Sequence, residues 1–200
     1  MIYFNKNTRL NYVDINIPSN NAQLQAYYNI RKIIFCDEQS LFKGNDFDHY
    51  DNSAIPIIAI NHYLGSPDEV VGVVRIYQKN KRNWYGGRLG VIKEYRSFSN
   101  FICPKLFKGL DGSTLYHKSI AAGLIYRAVS LANHLGCDKF SAHVQEQNVK
   151  LFKRLHWKVI DSMMLYGAKH YLMEADLAAY PATPIYTATP IKVKKILDVA

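Results

Sequence analysis

Hydrophobic residues in this 200-residue chain recur at two different periods, and the order of the two leaves few folds open. Val13, Ile15 and Ile17 alternate with polar residues, the pattern of a half-buried strand. Pro18, Ser19, Asn20 and Asn21 break that pattern and can cap a helix. Leu24, Tyr27, Tyr28, Ile34 and Phe35 then predict a helix over 22–39, followed by a polar, acidic loop over 43–52. Strands are predicted at 55–61, 69–78 and 84–92, parted by turns at 65–68 and 79–83. From about residue 114 the helical period returns. Ala121, Leu124, Ile125, Ala128, Leu131, Ala132 and Leu135 share one face, and Gly136 stands where a glycine ends a helix. A strand at 140–145, a short helix at 148–155 and strands at 157–165 and 170–177 complete the order β-α-β-β-β-α-β-α-β-β.

Early hairpins without crossover helices, then strand–helix–strand–helix–strand, specify an α/β chain. The expected architecture is a mixed, mostly antiparallel sheet flanked by helices. No G-x-G-x-x-G follows a strand, which argues against a doubly wound dinucleotide-binding fold. One domain is expected over 1–177, with 97–113 as an insertion and 178–200 as an extended C-terminal tail.

Charge and cysteine content narrow the function classes. Basic residues number 25 and acidic ones 16, and 25 − 16 gives +9. Such a balance suits a polyanion. The basic residues are scattered, with clusters only at 79–82 and 192–195, and no zinc-finger spacing or RNP-type motif occurs. Nucleic acid is therefore not the expected partner. No apolar run is long enough to span a membrane, and none is expected as a partner. Cys36, Cys103 and Cys137 lie far apart with no C-x-x-C, so no metal is expected and the thiols are read as buried and reduced. The first residues lack the apolar core of a signal peptide, and a cytoplasmic location follows by default.

Four strings, in order, resemble the GNAT superfamily of acyl-coenzyme A N-acyltransferases. Arg31-Lys-Ile-Ile-Phe35-Cys-Asp-Glu38-Gln39 is similar to an R-x-x-[VI]-F-x-x-E-Q signature of one branch. Val70-Val-Gly72-Val-Val-Arg75-Ile76 resembles the family's central strand. Gly87-Arg88-Leu89-Gly90-Val91 with Tyr95-Arg96 resembles its fourth strand and the start of its cofactor loop. His143-Val-Gln145 through Leu151-Phe152-Lys-Arg-Leu155-His-Trp157 resembles its C-terminal motif. With Met173-Glu-Ala-Asp-Leu177, the resemblance runs closest to a nitrogen-starvation N-acetyltransferase subfamily. It implies acetyl-CoA as donor, a primary amine as acceptor and direct attack in a ternary complex. A small amine acceptor is expected as the second partner, and a homodimer is left open.

The same resemblance assigns residues. Leu89 and Val91 would present backbone amides to the thioester and pantetheine. Ser119 and Ala121, with Tyr116 leading, would form the pyrophosphate loop at a helix N-terminus, whose free N–H groups suit anions. Arg96, with Lys105, Lys108 and Lys118 nearby, would line the cofactor entrance. Asn148 would hydrogen-bond the pantetheine arm or cap the short helix. Phe152 stands where many members have a tyrosine that protonates the leaving thiolate. Phenylalanine cannot do this, so the role is lost or moves to His156, Tyr126 or His143.

Arg31 is informative on spacing alone. It lies on the apolar face of its helix and must find partners if buried. Glu38 follows seven residues later on the same helical face, and the acidic loop Asp46-x-Asp48-x-x-Asp51 comes next. Arg31, Glu38 and Asp48, with Arg75 of the central strand, are expected to organise an acceptor pocket, with Glu38 or a water from it as general base. The bland alternative is an ion-pair network that holds the loop. The loop is not an EF-hand, because it lacks the sixth-position glycine and has Ile57 at the twelfth. Two other functions remain in view. One is an acyl-homoserine-lactone-synthase-like enzyme using an acyl carrier donor, which the first helix and acidic loop also resemble. The other is a non-catalytic CoA-binding regulatory module, suggested by Phe152 and the missing loop glycines.

Overall fold

A computed structural model describes residues 11–63, 66–97, 107–108, 114–115 and 119–184. A strand β1 (Asn11–Asn16) leads to helix α1 (Asn21–Arg31), which opens where the Asn20 side chain accepts the Gln23 N–H at 2.9 Å. Three long antiparallel strands follow: β2 (Ile55–Tyr63), β3 (Ser66–Asn80) and β4 (Asn83–Val91). A two-residue ladder joins β5 (Phe107–Lys108) to β6 (Thr114–Leu115). Helix α2 (Ile120–His134) then crosses to β7 (Lys139–Gln145), helix α3 (Val149–Arg154) and the hairpin β8 (Trp157–Leu165) and β9 (Ala168–Ala175). The main sheet has the order β1-β2-β3-β4-β7-β9-β8, mixed and mostly antiparallel, as expected.

Helices cover both faces of the sheet. On one side α2 buries Leu124, Val129, Leu131 and Ala132 against Val71, Ile76, Phe140 and Met173. On the other, α1 packs Leu24, Tyr27 and Ile34 onto Ile58, Ile60 and Val73. At about 25 cal/mol per Å² of apolar surface removed from water, these two clusters are the main favourable term of the fold.

Three differences from the sequence reading bear on the site. The first helix does not run unbroken over 22–39: residues Lys32–Glu38 form a π-helical turn. The second helix starts at Ile120, not near 114, and the last strand starts at Ala168, not 170. The segment from 178 does not begin as a surface tail. Tyr180 is fully buried, and Arg127 donates to the carbonyls of Thr183 and Pro184 at 3.1 and 3.0 Å. Most of the expected insertion, and the tail beyond 184, lie outside the described residues.

Candidate active site

Among the described residues, the only parallel pairing in the main sheet joins β4 to β7, and it lasts four pairs, from Asn83↔Lys139 to Gly86↔Ala142. Beyond Gly86 the two strands part. The β4 edge from Gly87 onward therefore carries backbone groups that no β7 ladder satisfies, which makes them available to a ligand. A bulge sits at the same place. Val73 pairs with Gly90 and Arg75 with Gly87, so Arg88 and Leu89 together oppose Val74. Arg88 is in the left-handed region at φ 53°, which is unfavourable for a side chain with a Cβ. Gly90 allows the close approach behind the bulge, because a Cβ there would meet Ile34 Cδ1 at 2.7 Å.

A cavity of about 360 Å³ fills the gap. Its lining includes Gly87, Arg88 and Leu89 of β4, His143 and Gln145 of β7, Asn148 at the start of α3, and Ile125 and Ala128 of α2. Phe152 is buried, packs edge-on to Trp157 at 4.9 Å, and also faces the cavity.

The bulge turns Arg88 toward the acidic loop, where it completes an array of three guanidinium groups and three carboxylates. Arg31 is fully buried and binds Asp46 at 2.9 Å and Asp51 at 2.5 and 3.0 Å. Arg75 binds Asp48 at 2.9 and 2.5 Å and Asp51 at 2.6 Å. Arg88 binds Asp46 at 2.8 Å and Asp48 at 3.3 Å. Tyr27 adds its hydroxyl as an acceptor of an Arg31 N–H at 3.2 Å. Charge is neutral overall. Burial disfavours the Asp51 carboxylate, but the hydrogen bonds and charges of Arg31 and Arg75 outweigh it and hold its pKa down to about 2. Asp48 is likewise lowered, Arg75 outweighing burial.

A row of rings continues from this array along the same sheet face. Tyr50 stacks on Tyr77 at 4.1 Å, Tyr77 on Tyr85 at 5.9 Å, and Tyr85 approaches His143 at 6.3 Å. Lys79 lies 5.1 Å over the Tyr85 ring. Burial, then the charges of Lys79 and His170, lower the His143 pKa and favour its neutral form. A neutral imidazole beside the open seam is competent to accept a proton.

The expected site residues fall in several places. Asp48, Arg75, Leu89 and Asn148 line the cavity. Arg31 stands behind them and anchors the acidic loop. Ser119 caps α2, its hydroxyl accepting the Ala122 N–H at 3.2 Å, and Ala121 lies on the stripe that continues as Ile125 and Ala128 into the cavity. Val91 and Arg96 lie beyond the lining: Arg96 donates to the Val91 carbonyl at 2.7 Å. Glu38 is a correction. It does not join Arg31 and Asp48; its carboxylate instead takes Arg96 at 2.5 Å. The π-helical turn bonds i to i+5 rather than i+4, so seven residues no longer return to the same face. Tyr116 and Lys105, Lys118 and the side chain of Lys108 lie outside the described residues. Sequence alone gives Arg88 no role of its own and places Asp46 and Asp51 only as members of the acidic loop; the ion-pair network expected as the bland alternative is present. The glycines beside Arg88 were the available signal. Among the described residues, no group of three or more His, Cys, Asp or Glu could hold a metal ion, and no helix is long and apolar enough to cross a membrane.

Solved structures share this fold at low identity. An acyl-CoA N-acyltransferase from Pseudomonas aeruginosa aligns with a TM-score of 0.59 at 14% identity, over 82% of this chain and 99% of its own. A GNAT-family acetyltransferase from Staphylococcus aureus aligns with a TM-score of 0.56 at 13% identity, over 82% and 99%. BjaI, a CoA-dependent acyl-homoserine lactone synthase solved with SAM and isopentyl-CoA, aligns with a TM-score of 0.59 at 13% identity, over 95% and 100%. The chain thus has the fold of the GNAT acyl-CoA N-acyltransferases. No protein-family model and no curated protein sequence matches it.

Proposed function

We propose that this protein transfers an acyl group from an acyl-CoA thioester to a primary amine by direct attack in a ternary complex, with acetyl-CoA as the simplest donor. The observation that carries this reading is the parted β4–β7 seam with the Arg88–Leu89 bulge at its side. Backbone N–H groups at the bulge are fixed in place, so they polarise the thioester carbonyl without reorganising. Ser119 and Ala121 at the start of α2 take the pyrophosphate, Arg96 extends the cofactor path, and Asn148 meets the pantetheine arm. The array of Arg31, Arg75 and Arg88 with Asp46, Asp48 and Asp51 braces the acceptor side and holds the Tyr50–Tyr77–Tyr85 row in position. We assign the amine proton to His143 in place of Glu38, because His143 faces the cavity and Glu38 is engaged by Arg96. Protonation of the thiolate by Phe152 is ruled out by its chemistry, and a thiolate leaves without it.

Calorimetry of the full chain with acetyl-CoA and free CoA tests the donor assignment. Saturable binding with a Kd at or below the millimolar range is expected. Absence of binding by any CoA thioester would sink the reading.

A second reading is favoured by one observation. BjaI aligns over more of this chain than the two acetyltransferases do, 95% against 82%. Under it the acceptor is SAM rather than a simple amine. Acyl-CoA consumption that depends on SAM and not on an amine panel would select it.

A further inference from the structure

The cavity does not stop at the bulge. It continues past Gly86 toward the closed end of the seam, where Ala128, Phe140, Ala142 and Trp157 line it. These four side chains are buried, with exposures between 1% and 7%, yet they border open space. The hydrophobic core is therefore incomplete at this point, and the missing volume is bordered by apolar groups.

Position along the seam orders the cavity. The start of α2 lies at its open end, since Ile120 and Leu124 crowd Gly72, which pairs with Val91. Ala128 lies eight residues on from Ile120, about 12 Å further along the helix axis. From Leu89 to Gly86 the strand advances about 10 Å toward the closed end. A donor whose pantetheine enters at the open end and whose carbonyl sits at the bulge points its acyl tail into this apolar space. An acetyl methyl reaches only its mouth. An apolar wall favours apolar ligands, because burying each methylene against it gains contacts and removes surface from water.

We propose that this chamber is an acyl-chain pocket and that the donor carries a chain longer than acetyl, in the butyryl to octanoyl range. The inference rests on the acyl-transfer reading above, and it holds whichever acceptor is used. Ala128 is its specificity-determining residue: its single methyl leaves the space that a larger side chain would fill. No bond is made or broken in the pocket. It sets which thioester binds.

Calorimetric titration of the full chain with free CoA and with acetyl-, butyryl-, hexanoyl- and octanoyl-CoA tests it. Each buried methylene strengthens binding by up to about fourfold, so hexanoyl-CoA is expected to bind at least about tenfold tighter than acetyl-CoA. Ala128→Leu should bring hexanoyl-CoA down to the acetyl-CoA value. The wild-type series decides even if that variant does not fold. Equal or falling affinity with chain length overturns the chamber and leaves the acyl-transfer reading standing. No binding by any thioester overturns both.

Discussion

Single residues carry the guanidinium–carboxylate array, and their partners are distant in the chain. Arg88 meets Asp46 across 42 positions, and Arg75 meets Asp48 across 27. Spacing rules see neighbours three or four apart, so Arg31 stood out on its helix face while Arg88 did not. The array also gives the protein an acid limit. The Asp51 pKa falls from 3.8 to about 2 on folding, so its contribution is fully present above about pH 4 and is lost as pH falls toward 2. That shift corresponds to about 2 kcal/mol. Urea denaturation across this range should show the loss in the wild type and a much smaller one in Asp51→Asn, which should already be less stable at neutral pH. In the proposed mechanism His143 sets an acid limit of the same direction, on turnover rather than on stability. Its lowered pKa places the rise of activity with pH below the ordinary histidine range. The pH profile of kcat/KM should show that limb, and His143→Asn should remove it and lower kcat while acyl-CoA affinity is kept. A limb unchanged in the variant would move the proton elsewhere.

At the level of elements, what is periodic was legible and what interrupts the period was not. The stripe from Ala121 to Leu135 predicted α2, because its repeat is local and its end is set by Gly136 at φ 82°. The strand alternations placed the strands of the main sheet, though not which strand pairs with which. The π-helical turn at Lys32–Glu38 leaves no mark in composition, and it moved Glu38 away from the site. Its position is fixed by the sheet below, where Ile34 lies on Gly90. Gly90→Ala puts a Cβ 2.7 Å from Ile34 Cδ1 and should cost about 1–3 kcal/mol by overpacking. A lowered urea midpoint checks this; a midpoint equal to wild type would show that Ile34 moves aside freely. The family resemblance implied a bulge on β4 and a splay beside it, while the residues themselves showed the bulge at Arg88–Leu89 only as a density of glycines, since Gly86, Gly87 and Gly90 signal distortion without its direction.

At the scale of the whole molecule, the chain that follows the main sheet seals one of its ends. Trp157 donates its indole N–H to the Tyr180 hydroxyl at 3.0 Å, and that hydroxyl donates to the Leu155 carbonyl. Asn133 of α2 donates to the Tyr180 carbonyl at 2.7 Å. The segment after β9 thereby packs behind Trp157, which lines the cavity, a role its prolines and polarity did not announce. The +9 balance also takes on a place. The guanidinium–carboxylate array is neutral, so the excess charge belongs to the rest of the molecule. One feature has a mechanical side. Four residue pairs are all that bind β4 to β7, so the sheet consists of two leaves joined along a short hinge. The leaf of β1 to β4 carries the acidic array, and the leaf of β7, β9 and β8 carries His143. A molecule wedged between them works as a keystone: α2 already packs on both leaves from one face, and a ligand in the seam would join them along the edge where no ladder does, setting the spacing between His143 and the bulge.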